Sequence, residues 1–282
     1  MDYCSKRAPL EDKKIVTLGS SNSEHYNVGL HYTTGCTRMC PWCYAKYLLY
    51  KKPIQDHFEL EKDSCLLPKV HAEELQKLEL AADCSKFMIS PLGDVFDNQI
   101  SDMDIYRLFR ALREHADAGH IYFLFTRCYD RAVRIMQNTK FIAGLCLVLS
   151  ANTQQQAADA YRHLQELSTA QYRGMAISPL REPIIIPGRG HRYLDWLMIS
   201  GDQKKKVANT YVMVGQLLEQ ARDRGIHCFL KEYGYLNVPD VNITGFEAVP
   251  RLKTRTFFGE EYNYMPDGTV FKNPCLCPHG GC

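Results

Sequence analysis

No stretch of this 282-residue chain approaches the roughly 18 consecutive apolar residues that a membrane-spanning helix needs. The opening segment MDYCSKRAPLEDKK also lacks the apolar centre of a secretory signal. A soluble, cytoplasmic protein with no membrane partner is therefore expected. Charge of one sign is lacking too: 34 Lys and Arg stand against 32 Asp and Glu, a net charge of +2. That balance excludes a polybasic protein held to nucleic acid mainly by phosphate attraction, and any nucleic-acid contact must come from local patches. Internal repeats and low-complexity linkers are absent, which favours one barrel-sized domain with a small C-terminal extension.

Cysteine is abundant. Twelve residues would suit a disulfide framework in a short secreted chain, but a long chain without a leader points to metal or redox chemistry. Three cysteines lie within residues 36–43 and three within 275–282, and the other six are scattered.

Short runs rich in branched apolar residues recur at VGLHY (28–32), FMIS (87–90), IYFLF (121–125), LCLVLS (145–150), GMAIS (174–178), WLMIS (196–200) and HCFLK (227–231). Between most of them lie stretches with helical periodicity, among them DMDIYRLFRALREHADAG and TYVMVGQLLEQARDRG, the latter closing on Gly225. Continuous apolar strands alternating with amphipathic helices predict an α/β fold with a parallel sheet, a partial or complete β/α barrel in preference to an open doubly wound sheet.

Polar residues gather after the predicted strands, where a barrel builds its active site. Pro91, Gly93, Asp94 and Asp97 follow the second, Thr126, Arg127 and Arg131 the third, and Asn152 and Gln154 the fourth. Glu182 follows the fifth, Gly201 and Asp202 the sixth, and Lys231 and Glu232 end the seventh. Any single one of them is explained by ordinary capping, and the recurrence is the informative feature.

The loop after the first strand reads GCTRMCPWCY, with Cys36, Cys40 and Cys43 at C-x3-C-x2-C spacing. Structural zinc takes four protein ligands, and catalytic zinc leaves one position to water. A redox dithiol needs only two thiols. A [4Fe-4S] cluster on three thiolates leaves one iron open to a small molecule. This spacing after a first strand, with Trp42 before the last cysteine and Tyr44 after it, resembles the motif of the radical S-adenosylmethionine (SAM) superfamily. The blocks FMISPLGDVFDNQIS, FLFTRCYDRA, LVLSANTQQQAADAYRHLQEL, AISPLREPI, LDWLMISGD and HCFLKEYG extend the resemblance to a radical SAM family common in phages and prophages. That family is similar to spore photoproduct lyase in cluster placement.

The resemblance implies that the open iron of a cluster on Cys36, Cys40 and Cys43 binds SAM. A reductant such as flavodoxin or ferredoxin then drives its cleavage to a 5'-deoxyadenosyl radical that abstracts hydrogen from the substrate. It implies a barrel over residues 27–235, between an N-terminal segment (1–26) and an extension (236–282). Gly93 and Asp94 take the place of the superfamily's glycine-rich acidic loop, although the usual Gly-Gly-Glu is absent. Tyr44, Ser150, Asn152, Ser178 and Glu182 complete the implied cofactor-binding set. Arg127 and Lys231 are candidates to pair with a carboxylate or phosphate, and Cys128 is a candidate hydrogen donor. The resemblance further implies action on DNA or a modified nucleotide, as an isomerase of an amino-acid-substituted thymidine or as a lesion-repair lyase. A non-enzymatic metal protein that binds nucleic acid or a partner is the reading of a different class.

The tail NPCLCPHGGC places Cys275, Cys277 and Cys282 around His279. A second iron-sulfur cluster is expected there, with zinc as the alternative and His279 or Cys4 as further ligands. Upstream, VPRLKTRTFFGEEYNY and the lysines at 204–206 mix cations with rings, as nucleic-acid binding does. A hairpin that packs its aromatics onto the barrel with its charges alternating outward is the leading explanation of the former. Cys65, Cys84, Cys128, Cys146 and Cys228 are expected to be small buried hydrophobes, Cys146 and Cys228 above all because they lie inside strands.

Overall fold

A computed structural model describes residues 28–83, 85–167, 170–187, 193–202, 207, 210–232, 262–264 and 270–272. The architecture is mixed α/β. Its main sheet has seven strands: β1 (Val28–Leu30), β2 (Lys86–Ile89), β3 (Ile121–Thr126), β4 (Ile142–Ala151), β5 (Ala170–Leu180), β6 (Trp196–Gly201) and β7 (His227–Glu232). Hydrogen-bonded order follows chain order from β1 to β7, which is the order of a partial β/α barrel. Each of the seven apolar runs in the sequence forms one of these strands.

The chain divides into two compact units, residues 1–148 with 166–172 and residues 149–165 with 173–282. In the first unit β1 pairs parallel to β2 and β2 parallel to β3, with Val28 opposite Phe87 and Ile89 opposite Leu124. Such pairs need crossovers, and two of the helices here, α4 (Asp102–Glu114) and α5 (Tyr129–Gln137), follow β2 and β3. Ser101 caps α4 by accepting from the Asp104 amide at 3.1 Å. Its buried face is Ile105, Leu108, Phe109 and Leu112, the i, i+3, i+4, i+7 set of one helical stripe. Each such side chain contributes about 1.5–3 kcal/mol when fully buried.

Between β1 and β2 the chain makes α1 (Tyr44–Leu49), α2 (Lys52–Phe58) and α3 (Lys77–Leu80). It also forms a small second sheet in which Thr33–Gly35 pairs antiparallel with Lys69–Val70 and parallel with Leu92–Gly93. Strands of two or three residues carry no period that a sequence reading can detect.

In the second unit β5 pairs parallel to β6 and β6 to β7, with Trp196 opposite both Gly174 and His227. The helices are α6 (Gln154–Gln165) and α7 (Thr210–Asp223). Gly225 takes the left-handed conformation (φ +64°) just past α7, where the Ile226 amide turns back to the Ala221 carbonyl at 2.9 Å. Tyr262–Tyr264 and Val270–Lys272 pair antiparallel, as a hairpin requires. Among the described residues no helix is long and apolar enough to cross a membrane. Cys65, Cys146 and Cys228 are buried, as small hydrophobes are, whereas Cys128 is only half-buried and Cys84 lies outside the described residues.

Candidate functional site

The cysteine loop is entered through Gly35, whose φ of +75° lies in the left-handed region. A Cβ there would stand 2.2 Å from the Leu67 carbonyl oxygen, so only glycine fits. Gly35 pairs in register with Gly93, and a Cβ on Gly93 would lie 2.7 Å from the Thr33 carbonyl oxygen. Gly93 thus has a packing reason to be glycine: it brings the chain after β2 against the strand that feeds the loop.

Cys36, Cys40 and Cys43 are all free and half-buried. The Cys43 amide donates to the Cys40 carbonyl at 3.0 Å, and Cys43 is the residue from which α1 springs. Between Cys36 and Cys40, Met39 is held at φ +49°, a conformation costly for a side chain with a Cβ. Ser90, at the end of β2, is strained in the same way (φ +51°). Its amide donates to Leu30 and its hydroxyl accepts from the Thr33 amide, so hydrogen bonds hold the strained turn in place.

Four contacts fasten the loop to the ends of β2 and β3. Asp97 Oδ2 accepts from both the amide and the hydroxyl of Thr37, each at 2.7 Å. Arg38 donates to the Cys128 sulfur at 3.4 Å. The Arg127 guanidinium lies 5.5 Å over the Trp42 ring, within cation–π range. The Tyr44 hydroxyl donates to the Pro91 carbonyl.

Beneath them lies Asp94, which is buried. It accepts from the Thr126 hydroxyl at 2.8 Å, the Phe96 amide at 3.0 Å and the Arg127 amide at 3.1 Å, with the Cys128 thiol at 3.7 Å. Burial raises the Asp94 carboxyl above its usual range, against the opposing pull of these donors. Cys128 is pushed up to about 11 by burial and then by the Asp94 charge, which keeps it a neutral thiol. Cys36 is pushed up to about 12, again chiefly by burial. A metal binding at Cys36 must therefore displace a proton.

Asp97 goes the other way. Burial raises its carboxyl, but hydrogen bonds from Gln99, Thr37 and Cys36 outweigh that and leave it below the ordinary range. Asp97→Asn replaces one accepting oxygen by a donor and is expected to cost about 1–3 kcal/mol at neutral pH. Because the folded pKa lies below the unfolded value of about 3.9, that contribution is complete above about pH 4 and disappears as the pH falls through the folded value. Urea midpoints of the two proteins at neutral pH and below pH 4 check it; equal midpoints at neutral pH would refute the anchoring role.

In the second unit Asn152 is buried and its amide donates to Gln156 Oε1 at 3.0 Å, while Ser150 and Ser178 are half-buried at the ends of β4 and β5. The Glu182 carboxylate accepts from the Gln154 amide at 2.6 Å, at the start of α6. Gln154 in turn clasps the Ile185 backbone from both sides, at 2.6 and 3.1 Å. Arg181 grips the buried Asp202 at 2.6 Å, an ion pair between the ends of β5 and β6. The Lys231 side chain, Cys4, the lysines at 204–206, His279, Cys275, Cys277 and Cys282 lie outside the described residues.

Two residues that the motif reading passed over, Thr37 and Arg38, are the loop's own anchors. Asp97 was legible only as a polar residue after a strand, because its partner is 60 residues away. Three soft thiols in one loop are the donor chemistry of iron-sulfur and zinc sites. As placed, no three His, Cys, Asp or Glu side chains among the described residues form a group able to hold a metal ion.

A parallel α/β sheet with a cysteine loop after its first strand defines the class of fold and site. Residues 20–266 match the family model described as "Protein of unknown function (DUF5131)", and the chain belongs to that family. No curated protein and no solved structure matches it.

Proposed function

We propose that this chain is a radical SAM enzyme. The observation that carries the reading is the C-x3-C-x2-C loop that follows β1, by way of the short strand Thr33–Gly35, in a chain whose main-sheet strands follow one another in chain order. Cys36, Cys40 and Cys43 would hold a [4Fe-4S] cluster. When bound, that group supplies one electron for the reductive cleavage of SAM and a radical able to abstract hydrogen.

The chain's own residues prepare the site. Asp97 and Thr37 fix the loop, and Trp42 under Arg127 fixes its far end. Asp94 is a positioning residue, its oxygens already taken by Thr126, Phe96 and Arg127. The Cys128 thiol, kept protonated beside Asp94, retains the S–H bond that a hydrogen donor needs. By resemblance, Tyr44 and the Gly93 turn are the first unit's candidates to meet SAM, and Ser150, Asn152, Ser178 and Glu182 are the second unit's. Arg127 and Lys231 supply positive charge for a carboxylate or phosphate. By resemblance, the substrate is an amino-acid-substituted thymidine, in DNA or as its nucleotide, and the reaction an isomerisation. Cys275, Cys277 and Cys282 are the proposed second cluster site.

The test is iron and sulfide content after anaerobic reconstitution, with 5'-deoxyadenosine measured under dithionite. Close to eight irons per chain and cleavage of SAM are expected; about four would assign the tail to zinc or to no metal. No iron and no cleavage would overturn the proposal and favour a binding protein. Product analysis on modified and on ultraviolet-damaged DNA separates isomerase from lyase.

A further inference from the structure

A short helix on a protein surface normally buries one face and covers the other with charged or amide side chains. Helix α1 does the first and not the second. Ala45 and Leu49 enter a small core with Ile54, Phe58, Cys65 and Leu92. On the opposite side stand Tyr44, Tyr47 and Tyr50, each half-exposed or more, at 49, 60 and 49%. Spaced three residues apart, they fall within about a third of the helix circumference and advance about 4.5 Å per step along its axis.

The charge around them is one-sided. No acidic residue occurs between Glu24 and Asp56, while Lys46, Lys51 and Lys52 lie on or beside α1. In a chain whose net charge is only +2, this is a local cationic surface. Lys51 already sits 4.2 Å over the Tyr47 ring, so the cations and the rings occupy the same face.

We propose that this face of α1 binds single-stranded nucleic acid, its rings stacking on bases and its lysines following the phosphates. Exposed rings interleaved with cations and free of acids complement a strand that alternates stackable bases with negative charge. A duplex hides its base faces and offers these rings nothing to stack on. The surface begins at Cys43, so a strand lying along it passes the cysteine loop. Binding does not depend on the radical chemistry proposed above, and it is measured without SAM or reductant.

The probes are fluorescein-labelled oligodeoxythymidylate and oligouridylate of about 12 nucleotides and a DNA duplex of the same length, titrated by anisotropy into the full chain. Single strands are expected to bind at least about tenfold more tightly than duplex. Tyr47→Ala with Tyr50→Ala should weaken that binding about tenfold or more without changing the circular-dichroism melt, since both side chains are exposed. Lys46→Gln, Lys51→Gln and Lys52→Gln together should reduce the slope of log affinity against log salt by about 2. Met103→Ala, an exposed apolar residue on α4, is the unaffected control. Tighter binding of one oligonucleotide would assign the surface to DNA or to RNA. Absence of single-strand binding at low salt, equal affinity for duplex, or indifference to the tyrosine pair would each overturn the proposal. So would retention of an acidic electron carrier such as flavodoxin in place of the oligonucleotides.

Discussion

Alanine at Cys36, Cys40 and Cys43 together is expected to remove about four irons per chain and to bring 5'-deoxyadenosine formation to background. The fold should survive. All three thiols are half-buried, Cys43 at the edge of the small core beneath α1, and each substitution is expected to shift stability by about 1 kcal/mol or less. Activity lost with the melting transition intact separates a metal-binding role from a structural one. Iron content that does not change in the variant would move the metal to other residues and end the radical SAM reading. Zinc in place of iron would keep the loop as a metal site and remove its redox chemistry.

Gly35→Ala is expected to destabilise the first unit by about 2–4 kcal/mol, one of the larger single-residue effects available to it. Two costs add. A non-glycine residue in the left-handed region costs about 1–2 kcal/mol, and the new methyl would meet a backbone oxygen that cannot swing away. A lowered urea midpoint, accompanied by loss of iron binding, is the expected result. A midpoint within error of wild type would mean that the Leu67 carbonyl yields easily and that the loop entry is not constrained as described.

The strands were legible because each is a continuous apolar run between turn residues, and β1 to β7 coincide with those runs within a few residues. Gly225 was legible as a helix terminus for the same local reason. The cysteine loop announced itself by spacing. Its fastening did not, because Thr37 meets Asp97 and Arg38 meets Cys128 across 60 and 90 residues, and no local pattern records such pairs. Gly93 illustrates the limit most plainly. The family resemblance implies a cofactor contact there, and the structure supplies a separate packing reason for the same glycine in its approach to Thr33. Glu182 was likewise read as a cofactor residue, and here its carboxylate holds the Gln154 amide.

The long span of those fastenings matters while the protein is being made. At about 5–20 residues per second, roughly 5–20 s separate translation of Arg38 from that of Cys128. Over that interval the three thiols have left the peptidyl-transfer centre, but the set of groups that fixes their loop is incomplete, with Pro91 and Asp97 made before Arg127 and Cys128. A nascent chain in an oxidising cell is therefore vulnerable at a point where the finished protein is braced. Yield of protein with its three thiols reduced should depend on how fast ribosomes pass residues 40–130.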